Sequence, residues 1–265
     1  MAISEKYISE KPRVNVLTIA GSDTSAGAGI QQDLKTVTSL GQYCCTVITA
    51  LTCQNTQRII NVMPTPAEIV RDQIRAVFDD IYIHAIKIGM IPNMQVAITI
   101  HDELKKHLAN HPTPIVLDPI MVSTSGRQLM DDDCISFVRD NIFPLCTLVT
   151  PNIPEYQQLQ KMPPSDVDPF RHTALLLKGG HGEGTEMIDN LIMPDGTQHS
   201  FTSPKIESTN LHGTGCTLSS AIATFLALGD SLPEAVEHGK QIINKGIEGG
   251  RNLAIGNGNG PLWLF

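Results

Sequence analysis

Apolar positions along this chain fall into short runs separated by segments with helical spacing, and the two alternate from Val14 onward. VNVLTIA (14–20) is an apolar run of strand length. GSDTSAGAGI (21–30) follows as a glycine loop, and IQQDLKTVTSL (30–40) carries helical spacing that ends at Gly41. CTVITALTCQN (45–55) reads as the second strand. MPTPAEIVRDQIRAVFDD then predicts a helix with Thr65 as N-cap, Pro66 in the first turn and Glu68 completing a capping box. HAIKIGM (84–90) is the third strand, followed by a helix over 93–108. PIVLDPI (114–120) is the fourth; it runs into MVSTSGRQLM, a loop of small polar residues, and a helix near 131–142. TLVTPN (147–152) is the fifth strand, PEYQQLQ opens a helix, and ALLLKGG (174–180) is the sixth strand. MIDNLIM and TQHSFT flank Pro194-Asp195-Gly196, a hairpin turn. A second glycine loop leads into an apolar, alanine-rich helix, LHGTGCTLSSAIATFLAL (211–228). SLPEAVEHGKQIINKGIEGG (231–250) closes the pattern with a capping box of Ser231 and Glu234.

This rhythm predicts βαβ crossovers, a mostly parallel sheet with helices on both faces, and a late hairpin as an antiparallel edge. No linker, repeat or low-complexity segment divides the chain, so one domain is expected over residues 1–265, with residues 1–13 as a polar N-terminal extension. Hydrophobic residues at 41% and charged residues at 17% suit a large buried core. The net charge of −8 argues against a nucleic-acid surface. No run approaches the ~20 apolar residues of a membrane span. Met1 to Pro12 lacks the apolar core of a signal peptide, and the six cysteines form no CxxC pair or zinc spacing. Reduced thiols and a cytoplasmic location are the expectation.

Ligands of open parallel sheets bind outside the carboxyl ends of the strands. Asp23, Gln54, Lys87, Asp118, Asn152, Glu155, Lys178 and His181 all fall at such ends. Any one of them could be an ordinary turn or capping residue, but that is a poorer account of all eight together. Two glycines let the 213–216 backbone turn tightly, and the helix behind it offers unpaired N–H groups to an anion. Cys216 sits in that field, which lowers a thiol's pKa. A dinucleotide loop is excluded because GxGxxG counted from Gly27 meets Gln32, and no GK[ST] of a Walker A loop occurs. His107 and His111 have i, i+4 spacing without HExxH and read as a solvated helix end.

AGSDTSAGAGIQQDLKT (20–36), TALTCQNT (49–56), KIGM (87–90), LDPIMVSTSG (117–126), TPNIPE (150–155), LKGGH (177–181) and HGTGCTLSSA (212–221) occur in this order. Together they resemble hydroxymethylpyrimidine and phosphomethylpyrimidine kinases of thiamine biosynthesis, in the ribokinase-like superfamily. The resemblance runs from about Val14 to the C-terminus and includes the ending GNGNGPL (256–262). It implies a three-layer α/β/α sandwich and an ATP- and Mg²⁺-dependent kinase, a homodimer, acting on a small aminopyrimidine. Gly213, Thr214, Gly215 and Cys216 would form the anion loop, with Cys216 in place of the aspartate base of other ribokinase relatives. Asn152 and Glu155 match an NxxE motif tied to Mg²⁺ and phosphate; Asp118 would add charge near the metal, and Lys178 would contact ATP phosphates. Gly21, Asp33, Gln54 and Met90 map onto the pyrimidine side.

Two departures stand out. The family's first loop commonly reads SDPSGGAG, where this chain has Thr24 and Ala26. Only Gln157 to His172 separates TPNIPE from LLLKGG, and Pro163, Pro164 and Pro169 exclude a second long helix there. A pyridoxal or pyridoxine kinase on the same scaffold is the nearest rival, with Gln54-Asn55-Thr56 and Met90 favouring the pyrimidine. A non-catalytic pyrimidine-binding regulatory protein is opposed by intact Cys216, Glu155 and Lys178.

Overall fold

The computed structural model describes residues 13–122, 129–165, 168–179 and 185–265. Met1 to Pro12, residues 123–128 of the predicted polar loop, Asp166 and Val167, and His181 lie outside the described residues. Strands β1 (Asn15–Asp23), β2 (Tyr43–Gln54), β3 (Ile59–Pro64), β4 (Ala85–Ile88), β5 (Ile115–Leu117), β6 (Leu148–Val149), β7 (Ala174–Leu177), β8 (Glu186–Ile192) and β9 (Gln198–Pro204) form one nine-stranded sheet. Their order is β3-β2-β1-β4-β5-β6-β7-β8-β9. From β2 through β7 all neighbours are parallel. β3 at one edge and the β8–β9 hairpin at the other are antiparallel.

Side chains alternate across a strand, and the two faces separate accordingly. Leu17, Ile19, Ile86, Ile88, Ile115 and Leu117 face α2 (Ala67–Phe78), α3 (Met94–Leu108), α4 (Asp132–Phe137) and α5 (Ile153–Lys161). Val16, Ala85, Val116, Leu148 and Leu176 face α1 (Gly29–Ser39), α6 (Thr214–Ala227) and α7 (Leu232–Gly250). This is the α/β/α sandwich expected, with the antiparallel hairpin at its edge. Among the described residues no helix is long and apolar enough to cross a membrane. All six cysteines are free thiols.

Local chemistry sets several helix starts. Asn93 caps α3 by accepting from the Val96 N–H at 3.0 Å, and Glu234 of α7 reaches back to the Ser231 N–H at 3.0 Å. The α2 start differs from the sequence reading. β3, which the apolar pattern does not reveal, pairs as far as Ala50↔Pro64, and the Thr65 N–H continues that ladder to Thr49 O at 2.9 Å. Thr65 is therefore held in extended pairing, Pro66 is the N-cap, and there is no capping box. The segment near 131–142 is not one helix either: α4 passes into a π turn (Val138–Ile142) and a 3₁₀ turn (Phe143–Leu145) that holds Pro144. α5 ends at Lys161, and the described residues after it, up to β7, contain no second helix.

Candidate active site

The C-terminal ends of β1, β2, β4, β5, β6 and β7 meet the N-terminus of α6. Gly213, at φ +86°, precedes the helix, and a Cβ there would collide with the Gly27 carbonyl oxygen, so only glycine fits. Thr214, Gly215 and Cys216 make the first turn, where backbone N–H groups lack intrahelical acceptors. Cys216 is only 5% exposed. Burial pushes its thiol up to about 11, Asp33 and Asp118 add to the rise, and Lys87 and a Gly29 backbone hydrogen bond oppose it. The lowered thiol pKa expected from the helix terminus is thus corrected: loss of water outweighs the helix field.

On one side of this loop lies a cluster of charge. Lys178, after β7, donates to Asp118 Oδ1 at 2.6 Å, and Thr150 donates to the same oxygen at 3.2 Å. A Cβ on Gly215 would lie 2.7 Å from Asp118 Oδ2 and 3.6 Å from Lys178 Nζ, so the loop closes directly onto this pair. Asn152 and Glu155 cap α5 reciprocally, each accepting from the other's backbone N–H at 2.8 Å. The capping reading of Glu155 therefore holds in the structure. Burial pushes its carboxyl up to about 7, with Lys178 pulling down and Asp118 pushing up. For Lys178, burial is outweighed by Asp118 and Glu155, which hold it protonated above the usual lysine range.

Lys178 is ion-paired to Asp118, and Glu155 adds a second carboxyl group within the field of that pair. Among the described residues no group of three or more His, Cys, Asp or Glu forms a metal cage. Mg²⁺ keeps several waters and takes one or two protein carboxylates beside substrate phosphates, so this donor set fits that ion and not a caged one.

On the other side lies a less charged wall. Gly21 is buried, and a Cβ on it would come 3.0 Å from Met90 Sδ. Thr49 donates to the Met90 carbonyl at 2.7 Å, fixing Met90 at the end of β4. Gln54, at the end of β2, comes 3.1 Å from His212 Nε2, and the same ring nitrogen lies 2.8 Å from Asp23 Oδ2. Asp23 also accepts from the N–H groups of Ser25, Gly27 and Ala28 and from the Ser25 hydroxyl. Burial favours the neutral acid, but the hydrogen bonds from His212 and Ser25 hold Asp23 below the usual carboxylate range.

Asp33 is the residue that the structure does not bring to this wall. Its side chain is fully buried and ion-paired to Lys87, and Thr18 and Ser220 donate to it at 2.5 and 2.8 Å. With its oxygens engaged inside the fold, Asp33 holds α1, β1, β4 and α6 together and does not face a ligand. Thr56 likewise anchors the C-terminal tail, its carbonyl accepting from the Asn259 N–H at 2.9 Å.

The sequence reading assigned no role to His212, Thr18 or Ser220. His212 stood in plain view beside Gly213. Lys87 carried the other signal: a charge between Ile86 and Ile88 in an apolar strand must find a buried partner.

The phosphomethylpyrimidine kinase family model matches residues 23–263. The hydroxymethylpyrimidine/phosphomethylpyrimidine kinase of Salmonella typhimurium is 36% identical over 264 residues, 96% of this chain and 98% of that one. The thiamine biosynthesis bifunctional protein ThiED of Geobacter sulfurreducens is 43% identical over 262 residues, and the match covers 95% of this chain and 52% of that relative, about half its length. Among solved structures, an ADP complex of Bacillus subtilis pyridoxal kinase superposes with a TM-score of 0.82 at 28% identity, covering 96% of this chain and 98% of that one.

Proposed function

The chain belongs to the phosphomethylpyrimidine kinase family, and from that premise we propose that it phosphorylates 4-amino-5-hydroxymethyl-2-methylpyrimidine and then its monophosphate, using ATP. One observation carries this reading. The loop from His212 to Cys216 touches Gln54 at one end and the Asp118–Lys178 pair at the other. An amide and a cation thus flank one turn, which supports assigning the pyrimidine edge to Gln54 and the phosphates to Lys178.

Transfer of a phosphoryl group requires positioning and charge neutralisation more than covalent chemistry. Met90 and Gly21 give the ring an adaptable apolar wall, and Gln54 reads its polar edge. The backbone N–H groups of Gly215 and Cys216 face the charge that builds on the transferring group, and Lys178 neutralises phosphate oxygens. In its ionised form Cys216 takes the hydroxymethyl proton as the acceptor oxygen attacks, so this step draws on the thiolate fraction that burial makes small. Asp118 and Glu155 would hold Mg²⁺, which supplies further neutralisation of phosphate charge when bound. The second acceptor is a phosphate oxygen, so the same turn serves acceptors of different charge.

The reading extends to a cytoplasmic homodimer. Leu51 and Met63, cross-strand partners of β2 and β3, are 42% and 56% exposed, an apolar patch at the sheet edge suited to a second copy.

The test is ATP consumption by the purified protein with Mg²⁺ and each of hydroxymethylpyrimidine, its monophosphate and pyridoxal. Turnover of both pyrimidines with little of pyridoxal is expected; turnover of pyridoxal alone overturns the proposal. Mg²⁺ is assayed separately by thermal shift without nucleotide. Glu155→Gln keeps the backbone cap but is expected to lose the Mg²⁺-dependent rise in Tm.

A further inference from the structure

We infer that His212 is a substrate-positioning residue that fixes the polarity of the Gln54 amide, and so the orientation in which an aminopyrimidine is held. This rests on the proposed function. Asp23, held ionised, can only accept hydrogen bonds, and it lies 2.8 Å from His212 Nε2. That nitrogen must therefore carry a hydrogen, whether the ring is neutral or cationic. The terminal amide of Gln54 meets the same Nε2 at 3.1 Å. An amide nitrogen facing it would set donor against donor. The other end of the amide raises the same conflict: the Thr52 hydroxyl lies 3.0 Å from the Ser22 carbonyl and 3.3 Å from the Gln54 amide, and its single hydrogen cannot serve two acceptors.

One rotation of the amide removes both conflicts, since the two ends of an amide are assigned from their partners. Gln54 Oε1 then accepts from His212 Nε2–H, which is shared with Asp23. The amide nitrogen donates to Thr52 Oγ1, whose own hydrogen goes to Ser22. The imidazole cannot easily move away from this duty. The His212 N–H donates to Gly260 O at 3.0 Å, and a Cβ on Gly27 would collide with His212 Cδ2, so the ring packs against the first glycine loop.

The remaining valences of Gln54 are one oxygen lone pair on the His212 side and one N–H on the Thr52 side. A 4-aminopyrimidine offers an amine donor next to a ring-nitrogen acceptor, which matches this edge in one orientation only. A 4-oxopyrimidine offers the inverse pair, an acceptor carbonyl next to a ring N–H. His212 thus selects the amino form and sets the direction in which the 5-hydroxymethyl group points.

The experiment compares kcat/KM for hydroxymethylpyrimidine and its 4-oxo analogue in the unaltered protein, His212→Phe and His212→Gln. Phe keeps the ring packing without a donor, whereas Gln restores a donor. Discrimination between the two pyrimidines is expected to fall about tenfold or more in His212→Phe, the cost of one mismatched buried hydrogen bond, and to recover in His212→Gln. Calorimetric affinities for both pyrimidines give the same ratio should turnover be lost. An unchanged ratio in His212→Phe, with both substrates weakened together, means a purely structural latch and overturns the inference. Absence of pyrimidine binding and turnover in the unaltered protein overturns the proposed function, and the inference with it.

Discussion

Lys87 Nζ lies 2.8 Å from both carboxylate oxygens of Asp33, and neither side chain has any exposed surface. Lys87 belongs to β4 and Asp33 to α1, so the pair fastens the first helix to the middle of the sheet. Removing one partner strands a buried charge, which costs about 3–5 kcal/mol. Lys87→Met is expected to lower the unfolding free energy by that amount, read as a lower urea midpoint at constant m. Adding Asp33→Asn, which keeps a hydrogen-bonding group for Thr18 and Ser220, is expected to recover part of the loss. A Lys87→Met protein as stable as the parent would mean that the pair is not a fastening.

Ala26 is the only non-glycine residue with positive φ among the described residues, at +59°. Glycine would adopt this left-handed conformation free of Cβ strain. An L-residue there costs roughly 1–2 kcal/mol, partly offset because glycine loses more entropy on folding. Ala26→Gly is expected to raise stability by about 0.5–1 kcal/mol, read as a higher denaturation midpoint.

Acid sensitivity should centre on Glu103. Hydrogen bonds from Arg75, at 3.0 and 2.8 Å, and from Lys106, at 2.8 Å, hold its carboxyl near 2 despite partial burial. The folded value lies below the ordinary one of about 4.5, so this contribution to stability is full above about pH 4.5 and is lost as pH falls toward 2. Arg75 and Lys106 are 48% and 62% exposed, which limits the effect to about 1 kcal/mol. Glu103→Gln is expected to be less stable at pH 7 and to converge on the parent near pH 2 in equilibrium unfolding.

What the chain reveals before folding follows from range. Alternation of apolar runs and helical spacing is local, so the parallel strands, the hairpin turn and the capping box of Ser231 and Glu234 are legible. β3 is not, because an edge strand pairs on one side only and keeps Ile60 and Met63 in solvent. The strand-end rule gathers Gln54, Asp118, Asn152, Glu155 and Lys178 correctly at one rim. It cannot say which side chains turn inward. Asp33 and Ser220 are 187 residues apart in sequence, and only the packing of α1 against α6 reveals that they meet. The Cys216 thiol depends on the balance between a local field and burial, and burial is a property of the whole fold.

That balance has a kinetic consequence. With a thiol pKa of about 11 in the free protein, roughly one Cys216 in ten thousand is ionised at pH 7. Because kcat/KM reports the ionisations of free enzyme and free substrate, a thiolate base predicts a rise of about tenfold per pH unit between pH 7 and 9. Cys216→Ser is expected to flatten this profile, since a serine hydroxyl does not titrate in that range. Lys87→Met should displace the parent curve toward higher pH, because the Lys87 charge is what favours the thiolate from below. Parallel slopes for the parent and Cys216→Ser in steady-state assays would remove the thiol from the proton transfer and leave the loop amides and Lys178 to carry the reaction.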